Sequence, residues 1–296
     1  MKELMAGIDL CDEYTQVSCG EEEKTWVFPT VICRHKATDL WSVGEDAYAH
    51  TLRGDGSLVD KLVKLVLKDG TATLDGRRYT GAELLTEYLE CVLRSVKREY
   101  GAEADFGKLT FTVRKLDDRL VETLTAFGEK LGLCREDVRV ISHSESFIYY
   151  ILSQKKEIWN GTVGMFDLSA EELRYYELKV QRGQKQNAVL AEYEKMEESF
   201  RLDILETPSG AKLGDKILCS CADRVMQRKL YSAVFLMGKG FEKRDWAEDF
   251  MKLLCTKRRV YMEEAVFAKG AAFCAADQAQ KQTSYPYAMI CEGRLK

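Results

Sequence analysis

The sequence predicts an α/β protein in which parallel strands alternate with helices. Two observations carry this prediction. Through the middle of the chain, short apolar segments alternate with amphipathic helical segments, a pattern typical of doubly wound sheets. In addition, a hairpin whose first strand carries an aspartate near its end occurs twice, at Gly7–Asp9 and at Gly164–Asp167. This weak internal repeat predicts two similar lobes.

The first elements are a hairpin over residues 4–10 and 14–19, followed by the strand "TWVFPTVIC", in which Pro29 indicates an edge or a bulge. A long amphipathic helix follows. Thr80 and Glu83 have the spacing of a capping box at its start, and Gly101 ends it. Its apolar positions share one face: Leu84, Leu85, Tyr88, Leu89, Val92 and Val96.

Later segments repeat the alternation. The strand "KLTFTV", a helix, the strand "VRVIS" and the helix "ESFIYYILSQ" complete the first lobe. The second lobe then begins with the strands "TVGMFDL" and "LRYYELKV". A charged stretch, "NAVLAEYEKMEESFRL", separates them from further helices and strands. We therefore predict a first lobe over 1–160 and a second over 161–261, with residues 262–296 completing the first-lobe sheet.

Composition restricts the possible functions. The 296 residues are 46% apolar and 31% charged, which is ordinary for a globular protein. A net charge of −4 argues against a broad nucleic-acid surface. Because no apolar run approaches the ~20 residues of a membrane helix, no membrane span is predicted. The 10 scattered cysteines and the absence of a signal-like segment favour a reducing cytoplasm.

A metal site made of histidine and cysteine is not predicted. His35, His50 and His143 are far apart in sequence, and no CxxC pair occurs. The single CxC, Cys219 and Cys221, lies in a helical pattern, where residues i and i+2 do not share a face.

In this order, the segments resemble the superfamily of actin, sugar kinases and the seventy-kilodalton heat-shock chaperones. "AGIDLCDEYTQVS" and "VGMFDLSAEEL" resemble its two phosphate hairpins, and "AVFLMGKGFEKRDW" resembles its adenosine loop. "HSESFIYYIL" and "EEAVFAKGAAFCA" resemble its two connecting helices. The chain also resembles a clostridial, hence bacterial, family of actin-like proteins. The resemblance implies a two-lobed actin-like (ribonuclease H-like) ATPase fold, with an outer subdomain of the second lobe reduced to about Gln184–Pro208.

The resemblance also implies a nucleotide site. Asp9 and Asp167 would hold hydrated magnesium, although an aspartate at a strand end can equally cap its hairpin turn. If nucleotide binds, the implied contacts are Asp9, Asp12, Glu145, Asp167, Glu171, Gly238, Lys239 and Gly240. Gly238 and Gly240 would permit a close backbone approach, but a strand-to-helix turn also uses glycine. Glu145 suits a helix start in either case.

Both phosphate turns depart from the family. In place of glycines and threonines, the turns read Cys11, Asp12 and Glu13, and Ser169, Ala170, Glu171 and Glu172. A carboxylate about 4 Å from a phosphate charge costs about 4 kcal/mol at an effective dielectric near 20, which weakens binding roughly a thousandfold. Outward-pointing side chains would avoid this cost.

Two functions follow from these features. The first is an actin-like fold with degenerate phosphate loops that binds ATP and magnesium weakly or not at all. Such a protein would act as a non-catalytic scaffold or assembly partner, through an unknown protein or by self-association. The alternative is a divergent, slowly hydrolysing ATPase in which Glu171 or Glu172 replaces a water-positioning group. A sugar or acetate-type kinase is disfavoured because no acceptor pocket with a catalytic base can be identified.

Overall fold

A computed structural model describes residues 2–19, 24–101, 103–170, 172–198, 200–243, 245–256 and 258–294. The chain divides into two compact units. Unit 1 comprises Met1–Ser146 and Phe267–Ser284, and unit 2 comprises Phe147–Val266 and Tyr285–Lys296. The lobe boundaries given above stay predictions.

The strands are numbered in chain order: β1 (Lys2–Leu10), β2 (Tyr14–Cys19), β3 (Lys24–Pro29), β4 (Ile32–His35), β5 (Trp41–Val43), β6 (Gly56–Val59), β7 (Thr71–Leu74), β8 (Arg77–Thr80), β9 (Ala104–Val113), β10 (Val138–Ser142), β11 (Thr162–Leu168), β12 (Leu173–Gln181), β13 (Ala188–Lys195), β14 (Tyr231–Met237), β15 (Arg259–Met262) and β16 (Ala288–Ile290).

The helices are numbered likewise: α1 (Gly44–Leu52), α2 (Leu62–Leu67), α3 (Gly81–Tyr100), α4 (Asp118–Lys130), α5 (His143–Ser153), α6 (Lys156–Trp159), α7 (Pro208–Met226), α8 (Glu248–Cys255) and α9 (Val266–Gln278). None of the helices in the described part of the chain combines the length and the apolar character that a bilayer crossing requires.

Unit 1 is built on a five-stranded sheet with the order β10-β9-β1-β2-β3. Strands β10, β9 and β1 are parallel, whereas β2 and β3 continue as an antiparallel meander. One face of β1 (Leu4, Ala6, Ile8 and Leu10) enters a core shared with α2, α3 and α4. Since side chains alternate along a strand, Gly7 and Asp9 lie on the other face.

Unit 2 has a six-stranded sheet with the order β15-β14-β11-β12-β13-β16. Its first five strands repeat the order and the directions of the unit 1 sheet. In both sheets the first strand lies at the centre, between a parallel neighbour and an antiparallel one. Asp9 and Asp167 occupy the same place, one residue before the end of that central strand. The repeat seen in the sequence is therefore a repeat of topology.

The long helix α3 forms as the sequence predicts. The Thr80 hydroxyl accepts a hydrogen bond from the Glu83 backbone N–H, and the Glu83 carboxylate accepts one from the Thr80 N–H, which completes the capping box. Gly101 follows the helix with a φ of 94°. All six predicted apolar positions are buried. Pro29 ends β3, the outer strand of its sheet, which confirms the predicted edge. The predicted strand "TWVFPTVIC" is not continuous, however, because it divides after Pro29 into β3 and β4, which belong to different sheets.

Three further details differ from the sequence predictions. Each of the two large sheets is mixed, because the β-meanders lie beside the parallel strands. The charged stretch after β12 contains β13, whose burial alternates only over its first half before it becomes exposed. The tail was expected to complete the first sheet, but its strand β16 pairs in parallel with β13 in the second sheet, because β13 offers an open edge. Helix α9 belongs to unit 1 from Phe267 onwards.

Two buried tyrosines meet above a glycine in the centre of the second sheet. The Tyr175 hydroxyl donates to the Tyr231 hydroxyl at 2.7 Å, and Tyr231 donates to the Glu177 carboxylate at 2.6 Å. A Cβ on Gly164 would lie 2.9 Å from the Tyr175 hydroxyl, so only glycine leaves room for this pair. Lys229 completes the cluster with an ion pair to Glu177 at 2.8 Å.

We expect this cluster to make unit 2 sensitive to acid. Burial alone would raise the pKa of the Glu177 carboxyl, but hydrogen bonds from Lys179, Lys229 and Tyr231 outweigh it and lower the pKa from 4.5 to about 2. A lowered folded-state pKa adds stability above the unfolded value, and this stability is lost as the pH falls from 4.5 towards 2. The lysines are partly exposed, so the loss is on the order of 1 kcal/mol.

The measurement is denaturant unfolding at several pH values. The wild type should lose its stability advantage over Glu177→Gln within that acid range, because the amide does not titrate. Glu206→Gln, which changes an exposed glutamate, is the matched control and should follow the wild type. Parallel curves for Glu177→Gln and wild type would contradict the prediction.

Candidate functional site

The first hairpin turn places a carboxylate inside unit 1. Asp9 is completely buried near the end of β1, and its Oδ1 accepts a hydrogen bond from His143 Nε2 at 2.8 Å. His143 follows β10 directly, and its ring stacks on Phe267 with centroids 3.9 Å apart. Because β1 and β10 run in the same direction, the residues at their carboxyl ends meet at one edge of the sheet. The imidazole therefore neutralises or solvates a carboxylate that water does not reach.

Cys11 completes a three-residue cluster at this edge. Its thiol lies 3.7 Å from Asp9 Oδ1 and is also buried. One oxygen, one sulfur and one nitrogen atom, from Asp9, Cys11 and His143, all lie within 4.8 Å of one another. The second carboxylate oxygen of Asp9 is buried and has no hydrogen-bond partner among the described residues. The cluster thus keeps an unpartnered carboxylate oxygen beside a thiol and an imidazole, a grouping that the spacing of histidines and cysteines in the sequence did not indicate.

Asp12 has a structural role in the same turn. Its Oδ1 accepts a hydrogen bond from the Lys64 backbone N–H at 3.1 Å, in the first turn of α2. The residue before that helix, Lys61, has a φ of 53° and gives no side-chain cap. The carboxylate therefore caps α2 from a distance of 52 residues in sequence. This contact explains an acidic residue in the turn without a phosphate.

Glu145 lies in the first turn of α5 and is almost completely buried. Arg139 donates to its Oε1 at 2.7 Å, forming an ion pair within unit 1. The Glu145 N–H also donates to the Ser142 hydroxyl at 3.2 Å, so Ser142 caps the helix. The carboxylate predicted to face nucleotide is thus engaged by a guanidinium of its own sheet.

The second hairpin turn is closed by its own serine. The Ser169 hydroxyl donates to the Glu172 carbonyl and accepts from the Glu172 N–H, and the Ser169 N–H donates to the same carbonyl at 3.0 Å. The Glu172 carboxylate is buried between Arg174, at 2.6 Å, and Lys195, at 2.8 Å. The Ser169 hydroxyl and the amide groups of Ser169 and Glu172 are therefore used within the turn. Glu171 lies outside the described residues.

The glycines of the predicted adenosine loop pack on the second hairpin. Gly238 has a φ of 98°, and a Cβ there would lie 2.5 Å from the Leu168 carbonyl and 2.8 Å from Asp167 Oδ1. A Cβ on Gly240 would meet the Leu168 side chain at 2.3 Å. The backbone at these two glycines is thus in close contact with the end of β11. Lys239 between them is exposed.

The predicted residues are divided between the two units. Asp9, Asp12 and Glu145 belong to unit 1, and Asp167 with the segment 238–240 belongs to unit 2. The main residue missed from the sequence is His143. Its signal was its place immediately after a strand parallel to β1, since such positions converge at one sheet edge.

Three comparisons relate the chain to known proteins. A sequence profile described as "Family of unknown function (DUF5716) C-terminal" matches residues 13–292. Among curated protein sequences, none matches the chain significantly. Among solved structures, a non-polymerising mutant of MamK bound to AMPPNP is similar, with a TM-score of 0.52. The two sequences are 13% identical, and the match covers 94% of this chain and 99% of that one. The likeness shows an actin-like α/β fold.

Proposed function

The chain belongs to the C-terminal DUF5716 family, a family of unknown function, and we propose that it is an ATPase-fold protein that no longer turns over nucleotide. In this proposal it works as a scaffold or assembly partner, with another protein or with copies of itself. The fold is the starting point, but fold alone does not fix function. The geometry of the site favours a non-catalytic protein over a working ATPase.

The contact between Asp9 and His143 is the observation that carries the proposal. Hydrated magnesium needs carboxylate oxygens that can accept hydrogen bonds from its water shell. Asp9 is fully buried, so its Oδ2, which has no hydrogen-bond partner among the described residues, is not exposed to a hydrated ion, and its Oδ1 already accepts from His143 at 2.8 Å. The residues around Asp9 therefore fit hydrated magnesium poorly.

Three features of the turns support the same conclusion. Asp12 faces the backbone of α2, the Ser169 turn uses its own polar groups, and Gly238 and Gly240 pack against β11. Phosphate sites need backbone N–H groups and hydroxyls that point at the ligand. The Asp12 carboxylate and the Ser169 hydroxyl and amide are instead engaged within the protein.

Two further parts of the proposal concern architecture and place. The two units would correspond to the two lobes of the fold, and the segment 184–208 would be a reduced outer subdomain. That segment contains β13 and a 3-10 turn at Leu202–Glu206. These two short elements offer little surface from which to build one wall of an adenine-binding pocket. We further propose that the protein works in the cytoplasm.

The second candidate is a divergent ATP-binding protein. It is favoured by the two aspartates that occupy equivalent positions in the two sheets. In this case Asp9 and Asp167 would hold the hydrated metal, and residues 238–240 would lie beside the nucleotide.

Thermal unfolding with and without nucleotide separates the two candidates. A site with a micromolar Kd would gain about 4 kcal/mol of stability at millimolar ligand. We expect no shift in Tm with millimolar ATP or AMPPNP and magnesium, and no phosphate release. A clear shift that Asp167→Asn removes would favour the second candidate. Glu206→Gln serves as the control, since it also removes one acidic charge but from an exposed position.

Assembly is measured separately. Sedimentation velocity over a range of protein concentrations should show self-association that does not change with nucleotide. Association that appears only with ATP and magnesium would contradict the non-catalytic proposal.

A further inference from the structure

Three donor atoms of different chemistry converge in the interior of unit 1. Asp9, Cys11 and His143 are at most 4% exposed, and they offer a carboxylate oxygen, a thiol sulfur and an imidazole nitrogen within 4.8 Å of one another. Among the described residues, a group of three or more histidine, cysteine or acidic side chains close enough to hold one metal ion occurs here.

We propose that these three residues form a binding site for a divalent transition-metal ion such as zinc or ferrous iron. Thiolate and imidazole select such ions over magnesium, which prefers oxygen ligands and retains its water. The proposal does not depend on nucleotide, and it differs from the hydrated magnesium of the second candidate because the side chains would bind the metal directly.

The spacing suits direct coordination. Ligands 2.0–2.3 Å from a tetrahedral zinc are about 3.3–3.8 Å apart. Cys11 Sγ lies 3.7 Å from Asp9 Oδ1, and His143 Nε2 lies 2.8 Å from the same oxygen. The second distance is that of a hydrogen bond, so an ion would replace this proton bridge and separate the two atoms by about 0.5 Å or more.

Unsatisfied polar atoms beside the cluster are an independent indication. Asp9 Oδ2 and Thr112 Oγ1 are buried and have no hydrogen-bond partner among the described residues. Thr112 is in register with Asp9 on the neighbouring strand β9, so both side chains lie on the same face of the sheet. Buried polar atoms almost always have partners, so these two oxygens indicate a ligand. A metal ion would provide the partner of Asp9 Oδ2. The Thr112 hydroxyl could then bond to a water on the metal or to Asp9.

Binding has a defined proton balance. The Cys11 thiol must lose its proton to become a ligand. The proton that His143 Nε2 donates to Asp9 must also leave that nitrogen, and it does so when the neutral ring changes to the tautomer with its proton on Nδ1, so that Nε2 can bind the metal. The thiol proton is released to solvent. The bound ion then has one thiolate, one carboxylate and one neutral imidazole, which leaves a fourth position for Asp9 Oδ2 or water.

Cobalt titration of the metal-free protein tests the proposal. We expect about one Co²⁺ per chain, with the thiolate-to-cobalt charge-transfer band that a Co–S bond produces, and displacement of cobalt by zinc. Cys11→Ser should abolish this band and weaken cobalt binding at least about a hundredfold. Loss of a direct ligand should cost at least as much affinity as loss of a residue that hydrogen-bonds to a ligand, which costs up to about a hundredfold. Cys19→Ser is the matched control, because Cys19 is a buried cysteine of the same hairpin.

Asp9→Asn is a second variant for the case in which Cys11→Ser misfolds, and it should also weaken cobalt binding at least tenfold. Circular dichroism establishes that each variant is folded. Sub-stoichiometric uptake by the wild type, or a charge-transfer band that survives in folded Cys11→Ser, would overturn the proposal. Displacement of cobalt by equimolar magnesium would overturn it as well. These titrations contain no nucleotide, so their failure is distinct from failure of the proposed function.

Discussion

Gly7→Ala is expected to destabilise unit 1 by about 3 kcal/mol or more, at the upper end of the range for overpacking. A Cβ at this position would lie 2.1 Å from the Ala272 N and 2.2 Å from the Ala268 carbonyl oxygen. Both are backbone atoms of α9, so no side-chain rotation can relieve the clash. The helix must move away from the centre of the sheet, and its packing on β1 is lost.

The measurement is denaturant unfolding together with Tm, which should fall by roughly 6–12 °C for a unit of this size. Gly161→Ala is the matched control, because a Cβ there meets its nearest atoms at 3.5 Å, an ordinary contact. Gly270→Ala should resemble Gly7→Ala, since its Cβ would lie 2.1 Å from the Ser146 carbonyl. If Gly7→Ala stays within about 0.5 kcal/mol of the wild type, the described contact between β1 and α9 is wrong.

The two glycines of the sequence repeat, Gly7 and Gly164, have different structural roles. Gly7 lies two residues before Asp9, so both are on the same face of the sheet, whereas Gly164 lies three residues before Asp167 and is on the opposite face. Gly7 admits a helix backbone, and Gly164 admits two tyrosine rings. The repeat therefore holds at the aspartates and in the strand order, but it does not hold at the glycines. The two motifs look alike in sequence, although their glycines lie on opposite faces of the sheet relative to the aspartates.

Local signals predicted local structure well. The capping box of α3 and its buried face depend on residues within one helix, and both are confirmed. The contacts that decide the site are long-range. Asp12 binds a backbone amide 52 residues away, and Asp9 binds a histidine 134 residues away. No periodicity or turn rule fixes such pairs, because they depend on strand order within the finished sheet.

The same distinction explains the tail. Strand β16 has only three residues and little burial of its own, so its sequence carries almost no strand signal. It forms because β13 presents an open edge. A short strand of this kind is determined by its partner, and the sequence prediction assigned it to the other sheet.

The contact between His143 and Asp9 gives the second large prediction, and it bears directly on function. His143→Leu is expected to destabilise the metal-free protein by about 3–5 kcal/mol, because it leaves the Asp9 carboxylate buried without its donor. His143→Gln is the matched variant, since its amide N–H can still donate, and it should retain more of the stability. Denaturant unfolding in the presence of a chelator measures both.

A double-mutant cycle then separates the pair from the packing of the ring on Phe267. Asp9→Asn alone should be mild, near 1 kcal/mol, because a neutral amide can still accept the hydrogen bond. In the Asp9→Asn background, His143→Leu should lose much less than in the wild type, because no buried charge remains. Equal losses in both backgrounds would mean that the histidine acts only by packing. A large coupling would mean that Asp9 is committed to His143, and a carboxylate committed in this way is a poor ligand for the water shell of magnesium.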